Sequence, residues 1–178
     1  MPLMQPGIVD AIPTMVLNPP SLLDPILQTA FEAFKRGDVW LEFFGFDFEW
    51  NPLIAHASGQ QAEESMDPGI DFLLTDINLV SFSAPGTIVA NPDYVMEIQE
   101  KSGRTNYSNT TLHVMNFTGN PRGSSFKLPA TRYIRGNNTV VAKLTNRTAT
   151  AAVVNMEFLG WRMSYHGVNR TDLFNVPY

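Results

Sequence analysis

Asp47 and Glu49 stand two residues apart in the aromatic stretch Val39–Trp50, VWLEFFGFDFEW. On a β-strand that spacing points both carboxyls to one face and Glu42 to the other. Two carboxyls bracketing a sugar are the machinery of glycoside hydrolysis, and Phe46, Phe48 and Trp50 are of the kind that stack on sugars. The pattern also has a plainer meaning, with aromatics filling a core and acids meeting water. The plainer meaning is preferred.

Other chemistry finds little support. The three histidines, His56, His113 and His166, have no His, Asp or Glu at a metal-motif spacing. Asp67, Asp71 and Asp76 lack the spaced Asp/Asn-Gly pattern of a calcium loop and read as solvated carboxylates. The chain has no cysteine, which excludes a disulfide scaffold, a thiolate zinc site and a cysteine nucleophile. It carries no Gly-x-Ser-x-Gly elbow, no phosphate loop and no dinucleotide fingerprint. We therefore expect no enzymatic activity, no cofactor and no metal. Six Asn-x-Ser/Thr tripeptides begin at Asn106, Asn109, Asn116, Asn137, Asn146 and Asn169. The N-terminus shows no basic region followed by an apolar one, so no signal peptide supports reading them as glycan acceptors.

Residues that recognise partners are the alternative to catalysis. Trp40, Trp50, Tyr107 and Trp161 form a candidate aromatic binding surface for carbohydrate. Ten cations lie in residues 101–178, scattered over strands and turns without a nucleic-acid motif, so no nucleic acid is expected. Four of them, Arg104, Arg122, Arg132 and Arg135, are candidate assembly contacts.

What positions these residues follows from the rest of the chain. At 178 residues with 44% apolar content it is long enough for one well-filled domain. No apolar run reaches the ~18 residues of a membrane helix, and no membrane partner is expected. Residues 1–20 hold five of thirteen prolines, with Leu3, Ile8, Ile12 and Val16 among the apolar residues between them. Proline blocks helix and central strand, so this segment reads as an extended arm needing an apolar surface, on its own domain or a neighbour. Leu3, Ile8, Ile12 and Val16 are therefore further candidate assembly contacts. Residues 21–38 hold one helix, spanning 24–36. Asp24 caps it, Pro25 opens it, Ile26, Leu27, Ala30, Phe31 and Phe34 share one face, and Gly37 ends it.

From residue 39 to 178 the pattern is β. Strands are expected at Val39–Trp50 with a bulge at Gly45, and at Phe72–Phe82 with Leu73, Ile77 and Leu79 on one parity. Others are expected at Tyr94–Lys101, at Thr110–Phe117, at Phe126–Ile134 as an edge broken by Pro129, at Asn138–Asn146 and at Ala152–Tyr165 with a register shift at Gly160. Residues 51–69 read as a loop. Short strands separated by turns predict an all-β antiparallel sandwich of about eight strands, of the jelly-roll kind.

Three segments resemble a pattern in tailed-bacteriophage virion proteins. They are Phe126–Ile134 (FKLPATRYI), Arg135–Asn146 (RGNNTVVAKLTN) and Val153–Met163 (VVNMEFLGWRM), with Tyr94–Lys101 fitting the same arrangement. The resemblance covers about residues 72–165. It implies a jelly-roll structural protein of the virion, of the capsid decoration or cement type, made in the host cytoplasm and placed on the capsid surface. Its implied partners are its own copies, as a homotrimer, and the major capsid protein or other virion proteins. A head–tail or tail component and a carbohydrate- or receptor-binding module are the alternatives.

Charge is divided unevenly. Residues 1–100 hold fifteen carboxylates and two cations, a balance of −13, and residues 101–178 hold two and ten, +8. Sequential strands of a jelly roll alternate between sheets, so much of this asymmetry is expected to cancel within the domain. The surplus acid lies in Asp38–Glu100, mostly in the aromatic strand and residues 51–76, and the 51–76 loop is expected to face Arg104, Arg122, Arg132 or Arg135 of a neighbour.

Overall fold

The computed structural model describes residues 24–83, 87–89, 93–108, 112–113 and 125–174. The candidate contacts Leu3, Ile8, Ile12, Val16 and Arg122 lie outside these residues, as does most of the expected strand Thr110–Phe117.

Helix α1 spans Pro25–Arg36 and begins as its sequence dictates. Asp24 is extended, and its Oδ1 accepts from the Ile26 and Leu27 amides at 3.1 and 3.0 Å, which have no partner within the helix. Gly37 ends it at φ 79°, a left-handed conformation that a side chain would disfavour. Leu27, Ala30, Phe31 and Ala33 are buried on one face.

Nine strands follow among the described residues. They are β1 (Val39–Leu53), β2 (Gln60–Ser65), β3 (Ile70–Ser83), β4 (Thr87–Ile88), β5 (Tyr94–Glu100), β6 (Leu112–His113), β7 (Phe126–Ile134), β8 (Thr139–Asn146) and β9 (Ala152–Tyr165). A four-residue helix, α2 (Arg170–Leu173), comes last. One antiparallel sheet has the order β1-β9-β3-β4, with β7 also pairing β3. The other has the order β2-β8-β5-β6. The fold is an all-β sandwich.

Its main core lies between the sheets and includes Phe48, Trp50, Phe72, Leu74, Ile77, Tyr94, Met96, Leu144, Met156 and Phe158. A second cluster lies on the opposite face of the first sheet, where Leu27 and Phe31 of α1 meet Leu41, Leu73 and Met163. Strand β1 serves both through its alternation. Val39 and Leu41 point toward the helix cluster, while Phe44, Phe46, Phe48 and Trp50 point toward the second sheet.

Several sequence expectations are corrected. Gly45 makes no bulge, because β1 and β9 stay in register from Val39↔Tyr165 to Trp50↔Val154. The irregularity lies in β3 between Leu74 and Asp76. Thr75 is the extra residue there, and its hydroxyl donates to the Leu159 carbonyl at 3.2 Å. That single insertion flips parity, so Leu73 faces α1 while Ile77 and Leu79 face the second sheet. At Gly160 the register holds against β1 but shifts against β3, between Leu74↔Gly160 and Asp76↔Leu159; the glycine also permits close approach, since a Cβ there would collide with the Leu73 carbonyl oxygen. Residues 60–65, expected within a loop, form β2 on the edge of the second sheet. Strand β7 pairs β3 alone and loses register around Pro129, as an edge strand with a proline should.

Candidate functional site

A carboxylate in an apolar strand must find partners. Asp71 lies between Ile70 and Phe72 on β3, and it is fully buried. Desolvating a carboxylate is costly unless hydrogen bonds and an opposite charge replace water. Both are supplied. Oδ1 accepts the Gly136 amide at 2.7 Å and pairs with the Arg170 guanidinium at 2.6 Å. Oδ2 accepts the hydroxyls of Tyr133 and Tyr165, whose oxygens lie 3.2 Å apart. The donors come from β7, the turn after it, β9 and α2. Gly136 is required at its place, because a Cβ would stand 2.5 Å from the Ile70 carbonyl oxygen and 2.8 Å from that of Asp67.

The electrostatics follow from this enclosure. Burial first, and then donation to Asp71, push Tyr133 and Tyr165 well above the usual phenol range. Burial opposes the charge of Arg170, but Asp71 and the two phenols hold its pKa above the ordinary value. The phenols are therefore protonated donors and the guanidinium is charged. A carboxylate whose two oxygens are occupied by four donors is a fastening point. Phe174 completes the attachment, buried with its ring 5.2 Å from that of Tyr133.

This centre was not singled out from the sequence, where Asp71 read as solvated. The signal that could have found it is the acid inside the apolar run IDFLL, with two tyrosines and an arginine available downstream. Asp67 is also paired, with Arg162, whose guanidinium lies 4.6 Å from the Phe44 ring centre. Asp76 accepts the Ser125 hydroxyl at 3.2 Å. His56, His113 and His166 are exposed, and no metal-holding cluster occurs among the described residues.

Asp47 and Glu49 point to the outer face of the first sheet, away from the aromatic core, beside an open depression of about 330 Å³ that Asn155 also lines. Asp47 stands directly opposite Glu157 on β9. Burial and the Asp47 charge raise the carboxyl of Glu64 above its usual range. The arrangement concentrates negative charge on an open surface.

The four aromatic candidates do not form one surface. Trp50 is 1% exposed and its indole N–H donates to the Gln60 carbonyl at 2.9 Å, while Tyr107 is buried at 8%. Both are corrected to core positions. Trp40 is 49% exposed and packs edge-to-face against Phe34 of α1, with ring centres 6.0 Å apart. Trp161 instead packs edge-to-face with Phe43 at 5.4 Å and with Phe31 of α1 at 5.2 Å. Phe43, which sequence reasoning did not select, is 52% exposed.

Of the arginine candidates, Arg104 is exposed on the turn after β5, and Arg132 and Arg135 are half-buried at β7 and its end. No helix of the described residues is long and apolar enough to cross a membrane. In comparison with known proteins, no family model and no curated protein sequence matches the chain.

Proposed function

We propose that this chain is a non-enzymatic structural protein of a tailed-bacteriophage virion, a capsid decoration or cement protein with a jelly-roll winding that binds as a trimer between capsomers. One observation supports this reading best. Both oxygens of the buried Asp71 carboxylate are engaged in fastening elements together, while large apolar and charged side chains lie on outer surfaces. A rigid body with its chemistry turned outward works through contact. The resemblance of residues 72–165 supplies the virion setting.

Two measurements test it. The mass of the purified chain in solution should be three times 19.9 kDa. Imaging of intact particles should place it on the head surface in a copy number set by capsid symmetry. A chain that stays monomeric and does not bind capsids overturns the proposal. The carbohydrate-binding alternative is disfavoured by the burial of Trp50 and Tyr107.

A further inference from the structure

We propose that the outer edge of β1 is a docking site for an extended basic segment of another protein, which adds to the first sheet as a strand and seats its cations beside Asp47 and Glu49. The inference is independent of the virion reading.

Among the described residues β1 pairs with β9 alone, in unbroken register from Val39 to Trp50. Every second residue of such a strand directs its N–H and C=O away from its partner, so the margin of β1 carries a row of main-chain donors and acceptors. Edge strands are commonly guarded by shortness, a bulge, a proline or a lysine. Strand β2, the edge of the second sheet on the β8 side, is short and polar. Strand β7, across the first sheet, loses register around Pro129, and its Thr131 amide is taken by Asp24 at 2.6 Å. From Val39 to Trp50 strand β1 has none of these guards. Its charges are the carboxylates of Glu42, Asp47 and Glu49, which turn away an acidic strand, a second copy of β1 included, and admit a basic one.

The outer face beside this margin sets the order of the occupant's side chains. Phe43, Gly45, Asp47 and Glu49 follow one another on it. Phe43 is half exposed against the Trp161 ring, so the first place is apolar. Asp47 stands opposite Glu157, a like-charged cross-strand pair that costs stability. Among the described residues no salt bridge engages Asp47, Glu49 or Glu157. Asp47 and Glu49 also line the open depression beside Asn155, which has room for the end of a long side chain. A cation placed there by an added strand relieves the opposed charges. An antiparallel strand meets Glu49 first, then Asp47, Gly45 and Phe43, at every second residue. The recognised pattern is therefore cation-x-cation-x-x-x-apolar. Main-chain bonds to the edge supply affinity, and these alternate side chains supply selectivity.

The probe is the synthetic peptide acetyl-Thr-Lys-Thr-Lys-Thr-Thr-Thr-Phe-Thr-amide, titrated calorimetrically into the full chain beside a twin with Glu in place of both Lys. The lysine peptide should bind and the glutamate twin should not. Asp47→Asn/Glu49→Gln should weaken the lysine peptide about fivefold, as expected for two partly exposed ion pairs, and added salt should weaken its binding to the parent. Hydrogen exchange read by NMR locates the contact. In the free chain every second amide from Val39 to Trp50 should exchange rapidly, and the same amides should slow when the peptide is bound. Equal binding of the two peptides, no binding of either, or slowing confined to amides outside β1 overturns the proposal. So does protection of all β1 amides in the free chain, which would mean that another segment or a second copy already holds the edge.

Discussion

Asp71 is the residue on which most of the fold's polar stability converges. Asp71→Asn keeps the shape but removes the charge facing Arg170 and presents an amide to donors. The expected loss is about 3–5 kcal/mol in denaturant unfolding. Tyr133→Phe and Tyr165→Phe should cost about 1 kcal/mol each. Their effects should not add, since both phenols share Oδ2. The phenols also set an alkaline limit. Their folded pKa values lie above the unfolded value near 10, so their contribution is complete below about pH 10 and declines as pH rises past it. The double Phe variant should lose most of that decline. Tyr107, pushed up to about 12 by burial and Glu100, should leave a residual slope above pH 10. Monitoring unfolding midpoints from pH 8 to pH 11.5 separates these effects. Gly160 is a second intolerant position. Gly160→Ala drives a Cβ against the Leu73 carbonyl and should cost about 3 kcal/mol by prying β3 from β9.

At the scale of elements, one side chain adds a polar tie between α1 and β7 to the apolar packing of the helix on the sheet. Asp24 caps the helix with one oxygen and holds the Thr131 amide of β7 with the other. Asp24→Ala should therefore cost about 1–2 kcal/mol, at the high end for a cap. Burial works against the Asp24 charge, but the bonds from Thr131, Leu27 and Ile26 prevail and hold its pKa below the usual carboxylate value. Its contribution is present above the unfolded pKa near 3.8 and is lost as pH falls through the lower folded value. Acid unfolding of Asp24→Asn should accordingly be less steep than that of the parent. This helix was legible in the sequence from Asp24 to Gly37 because cap, proline, apolar spacing and terminator agreed. The strand Val154–Phe158 was legible for the same reason, since its alternation matched its burial, whereas in Val140–Leu144 the outward-parity Val141 is buried as well. Strand β2 was not. QQAEES is polar on both parities, and an edge strand with one solvated face needs little apolar content. Leu73 was misplaced because an inserted threonine leaves no mark on an otherwise apolar run. The Asp71 centre was hidden because its members lie up to ninety-nine positions apart and meet only through pairing of β3 with β7 and β9.

For the whole molecule, the uneven charge of the sequence is largely reconciled by topology. Strands β8 and β9 come from the basic half, and each is flanked by two strands of the acidic half. Glu63–Lys101, Asp67–Arg162 and Asp71–Arg170 each join one half to the other, and Glu97 stands opposite Lys143. The acids of residues 51–76 expected to reach a neighbour are thus in part satisfied at home. What persists is the outer face of β1 and β9, where Asp47 and Glu157 stand opposed with like charge. Asp47→Asn should be neutral or stabilising by about 0.5 kcal/mol. It should also bring the Glu64 pKa down toward normal, as read by NMR titration. A hydrolase relying on Asp47 would lose its activity in that variant, so one protein tests both readings.

The same topology imposes an order on synthesis. Strands β1 and β3 are made early, yet each takes its longest partner from β9; Val39 waits for Tyr165 and Ile70 for Ser164. Neither sheet can assemble its middle until the basic strands leave the ribosome. For most of translation the aromatic run VWLEFFGFDFEW is a nascent strand without a mate, which exposes it to other unfinished chains. Such high contact order predicts slow closure and a need for holding chaperones while the last strand is awaited.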